Sequence, residues 1–154
     1  MADVKPIPDG YPRLSPYLAV DNAAKAIDFY TKVFGGTERT RMPAPEGKVG
    51  HAEIEIGDSV IMLADEVPDI GHLSPKSVGG TPVTLSLYVE DVDKVFAVAL
   101  EEGAKTLSEI KDEFYGDRSG QFEDPFGHKW SVATHVEDVS PEEMAKRAQE
   151  IRNN

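Results

Sequence analysis

Apolar residues recur along this chain with two periods, every second position in some stretches and every third or fourth in others, which predicts strands alternating with helices. Leu14, Leu18 and Val20 alternate with Ser15, Tyr17 and Ala19 as in a strand. Asn22 then stands where a helix cap belongs, before a stripe of Ala23, Ala26, Ile27, Tyr30, Val33 and Phe34 that Gly35-Gly36 brings to a stop. The same grammar returns 69 positions later, from Tyr17 to Ser86. Val83, Leu85, Leu87 and Val89 alternate with Thr84, Ser86 and Tyr88, Asp91 is the cap, Val92, Val95, Phe96 and Ala99 form the stripe, and Gly103 ends it.

Strand signals follow each helix. In the first half, residues 51–56 and 59–64 flank Gly57-Asp58 and predict a hairpin with Ile56 opposite Ser59, Glu53 opposite Met62 and His51 opposite Ala64. That register sets His51, Glu53, Glu55, Val60, Met62 and Ala64 on one face. The other face carries Ala52, Ile54, Ile56, Ile61 and Leu63, and this apolar side is expected to pack on helices. The counterpart in the second half is residues 120–123, the turn Asp124-Pro125-Phe126-Gly127 and residues 128–133, with Trp130 expected in the core and Phe122 on the face away from the helix. The modules are expected at residues 11–65 and 82–136, with a Gly/Pro-rich linker at 66–81. Ser140-Pro141-Glu142-Glu143 is a capping box with proline at the first helical position, predicting a C-terminal helix over 140–152.

Composition narrows the function classes. Sixteen basic and twenty-eight acidic residues give a net charge of −12, which repels phosphate backbones and anionic lipid, so neither nucleic acid nor a membrane is an expected partner. Without cysteine there is no disulfide framework, thiolate metal site or thiol nucleophile. Residues 1–6 lack the basic and apolar pattern of a secretion signal, and no apolar stretch approaches a membrane span, so a cytoplasmic location is expected.

The phrases Ala26-Ile27-Asp28-Phe29-Tyr30-Thr31-Lys32-Val33-Phe34-Gly35-Gly36 and Glu123-Asp124-Pro125-Phe126-Gly127-His128-Lys129-Trp130, set in order around the repeat, resemble the glyoxalase/bleomycin resistance/dioxygenase (vicinal oxygen chelate, VOC) family. Residues 51–65 with Gly116-Asp117-Arg118 look like its PhnB-like branch. The resemblance implies an α+β fold of two tandem βαβββ modules, with curled mixed sheets enclosing a cavity, commonly built across a homodimer. Metal-using relatives such as glyoxalase I place four ligands, typically His and Glu, on the first and last strands of each module. Here those places hold Ser15, Met62, Thr84 and Ser131. A thioether and three neutral hydroxyls suit zinc, nickel or iron poorly, so no metal or other cofactor is expected.

Chemistry-bearing candidates concentrate on the predicted cavity face. His51 and Glu53 can act as an acid/base or polar-recognition pair, or as atypical metal ligands; equally, His51 can be a hydrogen-bonded histidine at a strand end or dimer seam. Tyr17, Ser86, Tyr88 and Phe122 supply aromatic walls and hydroxyls suited to a small-molecule pocket. Arg118 offers either a bidentate grip on an anionic ligand or an ion pair with Asp117 or Glu123. His72, His128 and His135 fall in the linker, at a turn and at a strand end, with no second histidine at metal-binding spacing. The expectation is a homodimeric small-molecule binder comparable to bleomycin resistance proteins. Its alternative is a glyoxalase-like lyase, isomerase or hydrolase that uses His51 and Glu53.

Overall fold

The computed structural model describes residues 3–154; Met1 and Ala2 of the opening stretch lie outside the described residues. The chain folds as two units, one up to Gly80 and one from Thr81. The first contains β1 (Tyr17–Val20), α1 (Ala23–Phe34), β2 (Thr37–Pro43), β3 (Val49–Ile56), β4 (Ser59–Asp65) and the one-turn α2 (Pro75–Val78). In the second are β5 (Thr84–Tyr88), α3 (Val92–Glu101), β6 (Lys105–Asp112), β7 (Asp117–Glu123), β8 (Lys129–His135) and α4 (Pro141–Arg152). Each unit holds one open, mixed four-stranded sheet, in the orders β1-β4-β3-β2 and β5-β8-β7-β6, with β1 and β5 parallel to their neighbours and the other pairs antiparallel. This is the α+β arrangement of two βαβββ modules. Among the described residues no helix is long and apolar enough to cross a membrane.

The helices start and stop where side-chain chemistry dictates. Asn22, Asp91 and Ser140 each accept a hydrogen bond from the backbone N–H three residues on, satisfying a donor that the first helical turn leaves free. Gly35 closes α1 in the left-handed conformation that a side chain disfavours. Directly after it, a Cβ on Gly36 would lie 2.7 Å from the Ile54 side chain, so only glycine lets the chain turn this close to β3. Ala23, Ala26, Ile27, Tyr30, Val33 and Phe34 are buried as the stripe predicts, joined by Phe29. On the facing sheet Ala52, Ile54, Ile61 and Leu63 are buried too. In the second unit Asp124 organises the Asp-Pro-Phe-Gly turn: Oδ1 accepts from the N–H groups of Phe126 and His128, and Oδ2 from the Trp130 indole at 2.9 Å.

The hairpin of β3 and β4 has the predicted register, Ile56 opposite Ser59 and Glu53 opposite Met62. Three expectations are corrected. The first strand starts at Tyr17, and Leu14, 86% exposed, is no core residue. Phe122 lies on the helix side of its sheet: it pairs directly with Trp130, paired residues share a face, and its ring meets Phe96 of α3 edge-on. Arg118 has the same parity as Phe122 and also points to the helix side, where it grips Asp93 of α3 through two nitrogens at 2.8 and 2.9 Å and reaches Asp112 at 3.1 Å. The segment from 66 to 80 also carries more structure than a plain linker. Val67 and His72 exchange backbone hydrogen bonds, and Ser74 caps α2 while its hydroxyl and that of Ser77 donate to Glu66.

Candidate functional site

On the face of the first sheet opposite α1, four side chains form one continuous hydrogen-bonded row. Tyr11, from the irregular segment ahead of β1, donates its hydroxyl to Glu53 Oε1 at 2.7 Å. Glu53 Oε2 lies 2.9 Å from His51 Nε2, and His51 Nδ1 lies 2.9 Å from the Tyr17 hydroxyl. Strand geometry explains the meeting: His51 and Glu53 are alternate residues of β3, and Tyr17 and Glu53 both neighbour Met62 of β4. Arg39 supports the row from the side, its guanidinium 4.5 Å from the centre of the Tyr11 ring and bonded to the Gly10 carbonyl at 2.7 Å.

Burial and partners fix the charge states along the row. Glu53 is only 5% exposed. Burial alone would raise its carboxyl, yet the hydrogen bonds from His51 and Tyr11, with the Arg39 charge, outweigh it and hold the group below the ordinary carboxylate range. Glu53 is therefore an anion that only accepts, and His51 Nε2 carries the proton between them. Tyr17 is pushed up by burial and by the Glu53 charge, so its phenol stays protonated at neutral pH. Its ring touches His51 on one side at 5.5 Å and His72 edge-on at 5.4 Å, leaving Tyr17 48% exposed. A pocket of about 380 Å³ adjoins the Tyr11 end, lined there by Glu55, Asp58 and Val60.

Two buried polar atoms of this unit, Ser15 Oγ and His72 Nε2, have no hydrogen-bond partner. The family resemblance would put metal ligands at Ser15, just ahead of β1, and at Met62, and in the second unit at Thr84 and Ser131. These donors do not fit a divalent ion: one orphaned hydroxyl, one thioether and two further hydroxyls supply no charge and no imidazole. His51 and Glu53 are already committed to the row, with both imidazole nitrogens and both carboxylate oxygens holding a hydrogen-bond partner. Among the described residues no three His, Cys, Asp or Glu side chains gather as a metal site.

The second sheet carries its own cluster. Thr84, Ser86 and Tyr88 line one face of β5, and Ser86 pairs with Ser131. At the end of that face Asp117, 6% exposed, accepts from the Tyr88 hydroxyl at 2.6 Å and from His135 Nδ1 at 2.8 Å, while His135 Nε2 reaches Asp138 at 2.8 Å. Burial would raise Asp117, but Tyr88 and His135 outweigh it and depress its carboxyl; His135 is raised by hydrogen bonds to Asp117 and then Asp138. Extending the β7 and β8 register from Glu123 opposite Lys129 reaches Asp117 opposite His135, so this pair was within reach of the sequence. Tyr11, Arg39 and the placement of His72 gave no such signal, since they depend on irregular segments and a strand bulge.

Residues 13–132 match the profile of the Glyoxalase/Bleomycin resistance protein/Dioxygenase superfamily. The chain is 46% identical over 136 residues to the Mycobacterium bovis protein Mb0911c, covering 86% of this chain and 90% of that one. Rv0887c of Mycobacterium tuberculosis shows the same identity over 136 residues, with 86% and 80% covered. Among solved structures, PA1353 from Pseudomonas aeruginosa shares the fold at a TM-score of 0.69 and 24% identity, covering 82% of this chain and 99% of that one. The PhnB protein from Bacillus cereus does so at 0.63 and 19%, covering 80% and 99%, which gives the PhnB-like resemblance a counterpart at the level of fold. With the two βαβββ modules and a match over most of its length, the chain belongs to the glyoxalase/bleomycin resistance protein/dioxygenase superfamily.

Proposed function

We propose that this protein binds a small organic molecule on the face of its first sheet, through Tyr17 and the row behind it, without the divalent metal used by glyoxalase I. The observation that carries the reading is the row itself: a buried carboxylate fixes a histidine, which fixes the hydroxyl of a half-exposed tyrosine. Such a preorganised polar group beside aromatic surface is what small-molecule recognition requires. The reading also takes the protein to act in the cytoplasm and as a homodimer, the dimer supported by the large side chains Val83 and Tyr88 exposed beside and on the edge strand β5. Light scattering on the purified chain tests the dimer.

A second reading, proton transfer in a lyase, isomerase or hydrolase reaction, draws on the same His51–Glu53 pair. It is the weaker of the two because both His51 nitrogens are occupied, so transfer would run through Tyr17, whose raised pKa keeps the phenol protonated at neutral pH and leaves little phenolate to act as a base. Turnover with a pH inflection that disappears in His51→Ala would favour it.

The metal question is tested by elemental analysis of protein purified without chelators, together with thermal unfolding in EDTA or in added nickel, zinc or manganese. The expected result is substoichiometric metal and an unchanged melting temperature. One tightly held metal per chain, with a melting temperature lowered by EDTA, would overturn the metal-free reading.

A further inference from the structure

The proton positions along the row determine what Tyr17 can offer a ligand. Glu53 accepts at both oxygens, from Tyr11 and from His51, so the proton on His51 Nε2 is fixed by geometry. The other nitrogen, Nδ1, faces the Tyr17 hydroxyl at 2.9 Å. When His51 is neutral, Nδ1 holds a lone pair and the Tyr17 O–H must point at it, which turns the oxygen's lone pairs outward. When His51 is doubly protonated, Nδ1–H donates to the Tyr17 oxygen and the phenolic hydrogen rotates outward. The ring is held between His51 and His72, so the change needs only a rotation of the hydroxyl.

We propose that Tyr17 determines which ligands the first sheet accepts and that His51 sets its sense. With His51 neutral the site takes a ligand hydroxyl or N–H; with His51 protonated it takes a carbonyl or carboxylate oxygen. This deepens the binding reading above and rests on it. The titratable and charged groups around His51 are Glu53 on its own strand, Tyr17 on β1, Tyr11 ahead of β1, Arg39 on β2 with its partner Glu55, and His72 after β4. His51 and His72 are the two histidines against the Tyr17 ring, so they are the two groups an experiment must separate.

Two uncharged probes separate the two senses: acetophenone, which only accepts a hydrogen bond, and indole, which only donates one. Their binding is measured by calorimetry or NMR between about pH 5 and about pH 8.5. Lowering the pH is expected to tighten acetophenone and weaken indole, each by about 5- to 10-fold, the size of one hydrogen bond gained or lost. Tyr17→Phe and His51→Gln should each remove both trends. Trends of the same sign for both probes, or trends that survive Tyr17→Phe or His51→Gln, overturn the proposal and leave the binding reading standing. Imidazole ¹⁵N shifts of the unmodified protein give an independent check, with neutral His51 expected to carry its proton on Nε2; a proton on Nδ1 overturns the proposal whether or not a probe binds. If neither probe binds at any pH, the proposal and the binding reading fall together.

Discussion

The two halves of the chain place a tyrosine, a histidine and a buried carboxylate on one sheet each, and arrange them in different orders. In the first half His51 stands between Glu53 and Tyr17, so the row ends on the hydroxyl of a half-exposed tyrosine. His135 in the second half stands between two carboxylates, Asp117 and Asp138, and Tyr88 spends its own hydrogen on Asp117. A histidine flanked by two carboxylates is stabilised as a cation and ties β7 and β8 to the segment before α4. A histidine flanked by one carboxylate and one hydroxyl can switch the hydroxyl's direction. Residue composition alone does not separate a clamp from a recognition site; the order of the hydrogen bonds does. Only the first unit, moreover, holds buried polar atoms without a partner, Ser15 Oγ and His72 Nε2, among the described residues.

The largest effect that would sharpen this contrast is expected from Glu53→Ala. It strands Tyr11 and His51 in a partly buried setting, so denaturant unfolding should show a loss of about 2–3 kcal/mol, and probe binding should disappear. Asp117→Ala should cost less, about 1–2 kcal/mol. Its partners Tyr88 and His135 are largely exposed and can turn to water. Binding on the first sheet should be unchanged; a loss of binding there would break the distinction between clamp and recognition site.

The smallest effect is expected from pH. The folded-state pKa of His135 is raised, so its contribution to stability is fully present below its unfolded value of about 6.5 and fades as the pH rises through the folded value. Asp117 has the opposite sign: its pKa is depressed, so its contribution holds above about pH 4 and fades in stronger acid. Urea midpoints across neutral pH should therefore fall on the alkaline side in the native chain and flatten there in His135→Gln. A midpoint profile that His135→Gln leaves unaltered would contradict the clamp.

Legibility in the sequence followed the same physical lines. Where one face of an element is buried the pattern is strong, and α1, α3 and the β3–β4 register could be read from it; α4 buries no residue and was legible through its Ser140 cap and Pro141 instead. The strands β2 and β6 are polar or exposed over nearly their whole length, Thr-Glu-Arg-Thr-Arg-Met-Pro and Lys-Thr-Leu-Ser-Glu-Ile-Lys-Asp, so alternation could not announce them. They entered only through the resemblance to a family. Phe122 was misplaced by an error of parity: once Trp130 is assigned to the core, its direct partner Phe122 must share its face. Arg118 does form an ion pair, but with Asp93 and Asp112, which the sequence reading did not name. His51, Glu53 and Tyr17 could be grouped because regular strands carry them. Tyr11 could not, because a segment with Pro6, Pro8, Gly10 and Pro12 has no period that says where its side chains go.

The most direct test of the central claim is to follow the side-chain NMR signals of Tyr17 and His51 while acetophenone and indole are added in the presence of EDTA, and again with nickel or zinc in its place. Saturable shifts at Tyr17 and His51, the same with and without metal, are predicted. Shifts that appear only when metal is supplied, or that fall on Tyr88 and His135 while the first sheet stays silent, would contradict it.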